Sequence, residues 1–405
     1  MAAREAVVVV TKPLGPSLRR LIGLLLVTPC LLVGTSQATV LPEERIDILY
    51  HSFDGGGLEV DGPAVLVRKS LGSSVSVMGK YYTDNLSGAS IDMEATDVDA
   101  ESGASPFDEQ REEVSLGVDY LNDRTLISLG YVRSDEPDYL AKTYSASVEQ
   151  TFFGDLTILT LGASYGEDDI GRNDRPDFAE ELERLRFSIN LSQILTTSFL
   201  VSFTYEAALD EGFLSNPYRQ VRFLDPSSGR GFSFQDEVAP DTRNSDAFGI
   251  QALYHLPNRR SAIRAQYRYY EDNWSVTSNT YELRYIHAIE DTWLLELKLR
   301  LYDQEEADFF SDLFPFRDAQ NFMTRDRRLG SFRSQTLGLG VTYNLPKFMI
   351  PGFERTSVNL HWDYINFDHD NFGDLRVSAE DFAPGEEPIY DSNAQVLRFF
   401  LSFKF

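Results

Sequence analysis

The sequence predicts an all-β chain: a single antiparallel transmembrane β-barrel of about 16 strands, residues 39–405, behind an N-terminal signal peptide, residues 1–38. Three observations predict it. An export signal opens the chain, a two-residue alternation of apolar and polar side chains recurs along the remainder, and the last segment alternates up to a terminal aromatic residue.

Composition sets the frame. Aromatic residues make up 13%, with 28 Phe and 20 Tyr, yet charged residues reach 25% and mean hydropathy is −0.28. Strands with one apolar and one wet face reconcile these values. No stretch after Ala38 approaches the roughly 18 apolar residues of a spanning helix. Closure into a barrel is then the way to pair every backbone group that lipid cannot solvate.

At the N-terminus, Arg4, Lys12, Arg19 and Arg20 precede the apolar run Leu21 to Val33, and Ser36-Gln37-Ala38 offers small residues for cleavage after Ala38. The uncharged run is too short for a membrane anchor, which needs roughly 20 residues. Pro29 before Cys30 argues against a lipoprotein, and the flanks of a twin-arginine signal are missing around Arg19-Arg20. Cys30 is the only cysteine and leaves with the signal, so the mature chain has neither disulfides nor thiolate metal sites. Cleavage moves the formal charge from −26 to about −29. Nucleic acid is excluded as a partner on that charge.

Sixteen segments carry the strand signal, approximately 44–53, 60–70, 73–84, 111–121, 125–134, 139–153, 156–166, 182–194, 198–209, 244–256, 260–271, 275–288, 292–304, 332–345, 354–367 and 393–405. In 292–302, Trp293, Leu295, Leu297, Leu299 and Leu301 share one face while Glu296, Lys298 and Arg300 share the other. Connections alternate between tight turns, such as Asn122-Asp123-Arg124 and Glu290-Asp291, and long excursions at 85–110, 167–181, 210–243, 305–331 and 368–392. Short turns belong on the periplasmic side and long loops outside. The final segment, ending in Phe403 and Phe405, resembles the C-terminal strand that the barrel-assembly machinery recognises.

The lumen-facing set reads Arg184, Arg186, Arg264, Arg268, Arg284, Lys298, Arg300 and Arg398, with Asp119, Glu206, Glu282, Glu296 and Asp363 interspersed. Such charges line water or pair with one another. Either they favour anions at mid-depth, or they form a salt-bridge lattice that stiffens the wall. The acidic loop 84–110 suits divalent bridging to lipopolysaccharide or simple solvation. Of the five histidines, His361 beside Asp363 is the best catalytic candidate, but no motif supports it. No enzyme activity, cofactor or dedicated metal site is expected.

Several stretches resemble a domain-of-unknown-function family of exported proteobacterial outer-membrane β-barrel proteins: His51-Ser52-Phe53-Asp54-Gly55-Gly56-Gly57, Asp61-Gly62-Pro63, Gly212-Phe213-Leu214-Ser215-Asn216-Pro217-Tyr218-Arg219 and Ala307-Asp308-Phe309-Phe310-Ser311-Asp312-Leu313-Phe314. The resemblance implies an outer-membrane location in a Gram-negative cell and a link to periplasmic redox work, and it carries over no site residues. Two of these stretches lie in long loops rich in aromatics and arginine: Phe213, Tyr218 and Arg219 in one, Phe309, Phe310, Phe314, Arg325 and Arg327 in the other. Loops this apolar are rarely left in water, so they constrict the lumen or dock a partner. The expected function is a porin-like passive channel for small polar or anionic solutes. The alternative is a scaffold or sheath for a periplasmic lipoprotein partner, and a lumen enzyme stands third. Outer-membrane lipid, lipopolysaccharide and the assembly machinery are the other expected partners.

Overall fold

The computed structural model describes residues 40–90, 105–346, 349–376 and 382–405. The expected signal peptide, Cys30 and the acidic residues Asp92 to Glu101 lie outside the described residues. The strands are β1 Arg45–Gly55, β2 Leu58–Leu71, β3 Val75–Ser90, β4 Ser105–Asn122, β5 Thr125–Glu136, β6 Tyr139–Phe152, β7 Thr157–Ile170, β8 Glu180–Thr196 and β9 Phe199–Gly212. They continue with β10 Gln220–Leu224, β11 Phe232–Asp236, β12 Thr242–Leu256, β13 Ser261–Asp272, β14 Thr277–Ile289, β15 Trp293–Gln304, β16 Phe332–Leu345, β17 Arg355–Gly373 and β18 Ile389–Lys404.

All but β10 and β11 close into one barrel, in the order β1-β18-β17-β16-β15-β14-β13-β12-β9-β8-β7-β6-β5-β4-β3-β2. The barrel therefore has the sixteen antiparallel strands that the alternation predicts. Closure is made by β1 against β18, where Ile46 pairs with Phe403 and His51 with Arg398. Phe403 and Phe405 pack on Phe353 at 5.2 and 5.0 Å, and the Lys69 ammonium lies 4.6 Å from the Phe405 ring.

The two-residue period decides which side chains meet lipid. On β15, Leu295, Leu297, Leu299 and Leu301 are exposed outward, while Glu296, Lys298 and Arg300 are half-buried inside. Register sets Leu297 beside Tyr285 of β14 and Leu339 of β16, both exposed, so the apolar rows merge into a belt. That belt contacts the hydrocarbon of the outer membrane. Inside, two glycines make room for charge. A methyl group on Gly338 would sit 2.3 Å from the Asp363 carboxylate and 2.7 Å from Lys298 Cε, and one on Gly340 would sit 2.7 Å from His361 Nδ1.

Two departures from expectation have one cause. β3, β4 and β17 run beyond the expected ends, and a hairpin, β10–β11, forms within the segment read as loop 210–243. Outside the hydrocarbon no lipid imposes one apolar face, so the alternation that marks strands fades while backbone pairing persists, and in β10 Val221, Arg222 and Phe223 are all buried in the plug. The hairpin turn is made by Asp225, which accepts hydrogen bonds from Ser227 N at 3.0 Å and Ser233 Oγ at 2.7 Å.

Leu297→Arg on the lipid face is expected to destabilise the barrel by about 2–4 kcal/mol. Ser147→Arg, on the inner face, should cost little. Denaturant titration of the two variants in bilayers checks this, and equal losses would refute the assigned facing.

Candidate pore and mouth plug

Ion pairs run along the inner wall from β2 round to β18. Arg284 donates to Glu282 at 2.6 Å and to Glu296 at 2.9 Å. Asp363 uses one oxygen for Lys298 and the other for Arg398, both at 2.7 Å. Arg268 pairs with Glu206 at 3.0 Å, Arg186 with Asp210 at 2.5 Å, Arg184 with Asp168 at 2.6 Å, and Arg68 with Asp119. Arg264 and Arg300 differ: neither has a carboxylate partner among the described residues, and Arg300 lies 5.6 Å from the Tyr302 ring. His361 stacks on Phe400 at 5.9 Å, and Asp363 has spent both oxygens on cations rather than on this imidazole.

Along the middle of β5 to β7 small residues take the place of these charges. Ser128, Gly130, Ser145, Ser147, Gly162 and Ser164 border a lumen cavity of about 1090 Å³. Reading by charge alone misses this stretch. Its signal is nonetheless in the sequence, as small residues alternating with outward-facing Ile127 and Leu129.

At the external end three connections merge into a plug: 213–241 carrying the hairpin, 305–331 between β15 and β16, and the described residues 374–376 and 382–388 between β17 and β18. Phe309 and Phe310 bury themselves against Trp274, Val276, Phe372 and Tyr390. Phe314 packs on Val221, Phe223 and Met323. Each such ring contributes about 1.5–3 kcal/mol of burial. Phe316 and Phe322, from the same loop, stay exposed. Main-chain bonds stitch the loops edge to edge, with Phe314 N donating to Arg222 O at 2.9 Å and Met323 N to Val238 O at 2.8 Å.

The centre of the plug is Arg222, whose side chain is fully buried. Its Nε donates to Asp312 O at 2.8 Å, Nη1 to Glu387 at 2.6 Å, and Nη2 to the Asp312 carboxylate. All three loops thus meet on one guanidinium. Arg325 donates to Asp312 at 3.0 Å and to Gly373 O at 2.8 Å, and lies 4.2 Å from the Phe372 ring. Arg219 reaches Asp326 at 2.8 Å and Glu237 at 3.8 Å. Arg327 donates to Tyr390 Oη at 3.1 Å. Tyr218 donates to Asp138 and accepts from Asn173 N at 2.9 Å, while Phe213 meets Phe178 edge-on at 5.4 Å. Arg219, Arg222, Arg325 and Arg328 therefore find carboxylates within the plug.

Burial alone would raise the Glu387 carboxyl, but its bonds and charge contact with Arg222 outweigh this and hold it below the usual carboxylate range. Asp326 is likewise lowered, because Arg219 and Arg328 overcome its burial. For Glu237 burial wins over Arg219, so it is raised.

The plug does not fill the mouth. Between it and the ends of β5 to β9 lies a cavity of about 1000 Å³, which shares Asp210 and Arg243 with the lumen cavity. The lumen cavity in turn shares Glu206 and Arg268 with a cavity of about 340 Å³ that reaches Ser192 and Ser202 near the short β8–β9 turn. At the upper junction Arg243 is fixed by Asp272 at 2.6 Å and by Trp274, whose ring lies 4.4 Å away. Cross-strand register sets Arg243 beside Asp210.

The plug should loosen in acid. Lowered carboxyls such as Glu387 and Asp326 stabilise it above their ordinary pKa near 4, and that contribution is lost as pH falls through and below this value. Glu237 has the opposite sign, with its contribution complete in acid and lost as pH rises, so it softens the loss. Amide exchange in 309–325, corrected for intrinsic rate, should be faster at pH 3 than at pH 7 while β13 to β15 stay protected; unchanged protection would refute this. At neutral pH, Arg222→Ala should lower local stability by about 3–5 kcal/mol, since it strands the Glu387 carboxylate while Asp312 keeps Arg325.

The architecture is shared with solved outer-membrane barrels. The chain is similar to a bacterial polysaccharide outer membrane secretin, with a TM-score of 0.50 at 7% identity over 90% of this chain and 98% of that one. It is also similar to OmpT of Vibrio cholerae, with a TM-score of 0.41 at 10% identity over 91% and 100% of the two chains. For the siderophore receptor PirA from Pseudomonas aeruginosa the TM-score is 0.42 at 10% identity, and 82% of this chain spans only 57% of that receptor. At 7% identity the likeness to the secretin is one of fold alone. No curated protein matches the sequence. The family model described as "Protein of unknown function (DUF3570)" matches residues 23–354. The chain belongs to that family and is an integral β-barrel of the bacterial outer membrane.

Proposed function

We propose that the protein is a passive channel for small polar solutes, constricted at its outer mouth by the three-loop plug. The observation that supports this best is a succession of three cavities from beside the plug toward the β8–β9 turn, neighbours sharing Asp210 and Arg243 and then Glu206 and Arg268 as lining residues. A wall of Ser and Gly on β5 to β7 widens this route, and water-filled lumens are within the reach of a barrel of this size. Paired charges such as Arg186–Asp210, Arg268–Glu206 and Arg284–Glu296 line the rest of the wall and stiffen the barrel.

Charge counting suggested an anion-favouring lumen, and the pairing narrows that argument to Arg264 and Arg300. A mild preference for anions is the reading we adopt, since paired charges present little net field to a passing ion. Phe403 and Phe405 serve as the recognition element for the assembly machinery before closure. A stoichiometric lipoprotein companion from native membranes, together with a barrel that does not conduct, would favour the sheath instead.

Planar-bilayer recording tests the channel. The purified protein should conduct with slight anion selectivity, deletion of 309–328 should raise conductance severalfold, and Ser147→Arg should lower it. A protein that never opens would overturn the channel. Unchanged conductance after the deletion, with the barrel still folded, would overturn the constriction.

A further inference from the structure

Along the inner wall of β13 to β15 lies a further cavity of about 490 Å³, within the range of small-molecule sites. It shares Arg243, Arg268 and Tyr270 as lining residues with the lumen cavity, so the two are neighbours. Its external end is bordered by Val276, a member of the plug's apolar core, and by Gln304, whose amide donates to Arg328 O at 2.8 Å and to Gly330 O at 2.9 Å. A solute held here therefore sits beneath the plug and beside the route.

The lining is rich in donors that have nothing to donate to. Arg300 has no carboxylate or hydrogen-bond partner among the described residues and lies 5.6 Å from the Tyr302 ring. The Gln266 amide and the Thr280 hydroxyl likewise form no side-chain hydrogen bond among the described residues. Glu282 is the one carboxylate on the described border, and register sets it directly across from Arg300. It turns instead to Arg284 on its own strand, at 2.6 Å, and leaves Arg300 free. Two more arginines reach the same cavity: Arg243, held by Asp272, and Arg268, which pairs with Glu206 at 3.0 Å yet keeps 38% of its side chain exposed. Neither Asp272 nor Glu206 lines the cavity.

Such a lining suits a ligand that only accepts hydrogen bonds and carries negative charge. The planar fork of one arginine satisfies two oxygens of an oxyanion at once. A carboxylate is thereby used up on Arg300 alone, whereas a phosphate has oxygens left for Gln266, Thr280 and Arg268. We propose that this cavity is a saturable binding site for small phosphate-bearing solutes, with Arg300 as its anchor. The site deepens the channel reading and rests on it for its purpose, but its occupancy is measured without conduction.

The test is equilibrium binding of inorganic phosphate to the purified barrel by calorimetry, with acetate as the comparison anion. Phosphate should bind saturably and at least about tenfold more tightly than acetate, the scale of one added hydrogen bond to a charged group. Arg300→Gln should weaken phosphate binding by about tenfold or more, and Arg300→Lys, which keeps the charge and loses the fork, should fall between the two. Arg264→Gln removes the other arginine without a carboxylate partner, which does not line this cavity, and should bind phosphate like the parent. Heat-modifiable gel migration verifies that each variant is a folded barrel. The proposal is overturned by absence of saturable phosphate binding, by acetate binding as tightly, by a folded Arg300→Gln variant that binds like the parent, or by an equal loss in Arg264→Gln, which would mark a diffuse lumen field. Bilayer recording on the same preparation separates the two readings. Phosphate binding by a barrel that never conducts sinks the channel and leaves the site, whereas conduction without saturable binding sinks the site alone.

Discussion

The whole structure depends on one constraint: within hydrocarbon no peptide group can be left unpaired. A helix solves this locally, but this chain has no long apolar run, so the debt is settled between strands and only closure settles it fully. The β1–β18 pairing is therefore more than the last contact made. It removes two sheet edges that lipid would not tolerate. Once the sheet is a closed ring, each strand has a wet face and an oily face, and the side-chain alternation follows.

Because one face of each strand must be polar, the barrel has a supply of inward positions whose chemistry lipid does not dictate. The chain uses them in two ways. Large charged residues neutralise each other, with Gly338 and Gly340 yielding the space that Asp363 and His361 take up. Serine and glycine on β5 to β7 leave space unfilled between them.

Much of this was legible in the sequence, and the reason is physical. A period of two is imposed by the environment wherever a strand crosses lipid, so Leu295 to Leu301 against Glu296 to Arg300 could hardly be read otherwise. The inward charges were identifiable too, but not their partners: Arg186 meets Asp210 and Arg284 meets Glu296 through register between strands, which no single segment encodes. The plug was legible only as an excess of phenylalanine in need of burial. That Arg222 would join Asp312 and Glu387 depends on three loops far apart in the chain, and five-residue strands such as β10 carry too few alternations to stand out.

The buried Arg222 bears on the order of events during biogenesis. Its partners come from the connections after β15 and after β17, so they sit in place only when the final strands have been laid down. Until then the hairpin that carries Arg222 has no countercharge, and a guanidinium of this kind stays in water rather than enter an apolar interior. The centre of the plug is thus complete only when the connections after β9, β15 and β17 are all present, so covering the mouth is a property of the whole chain and of no single loop.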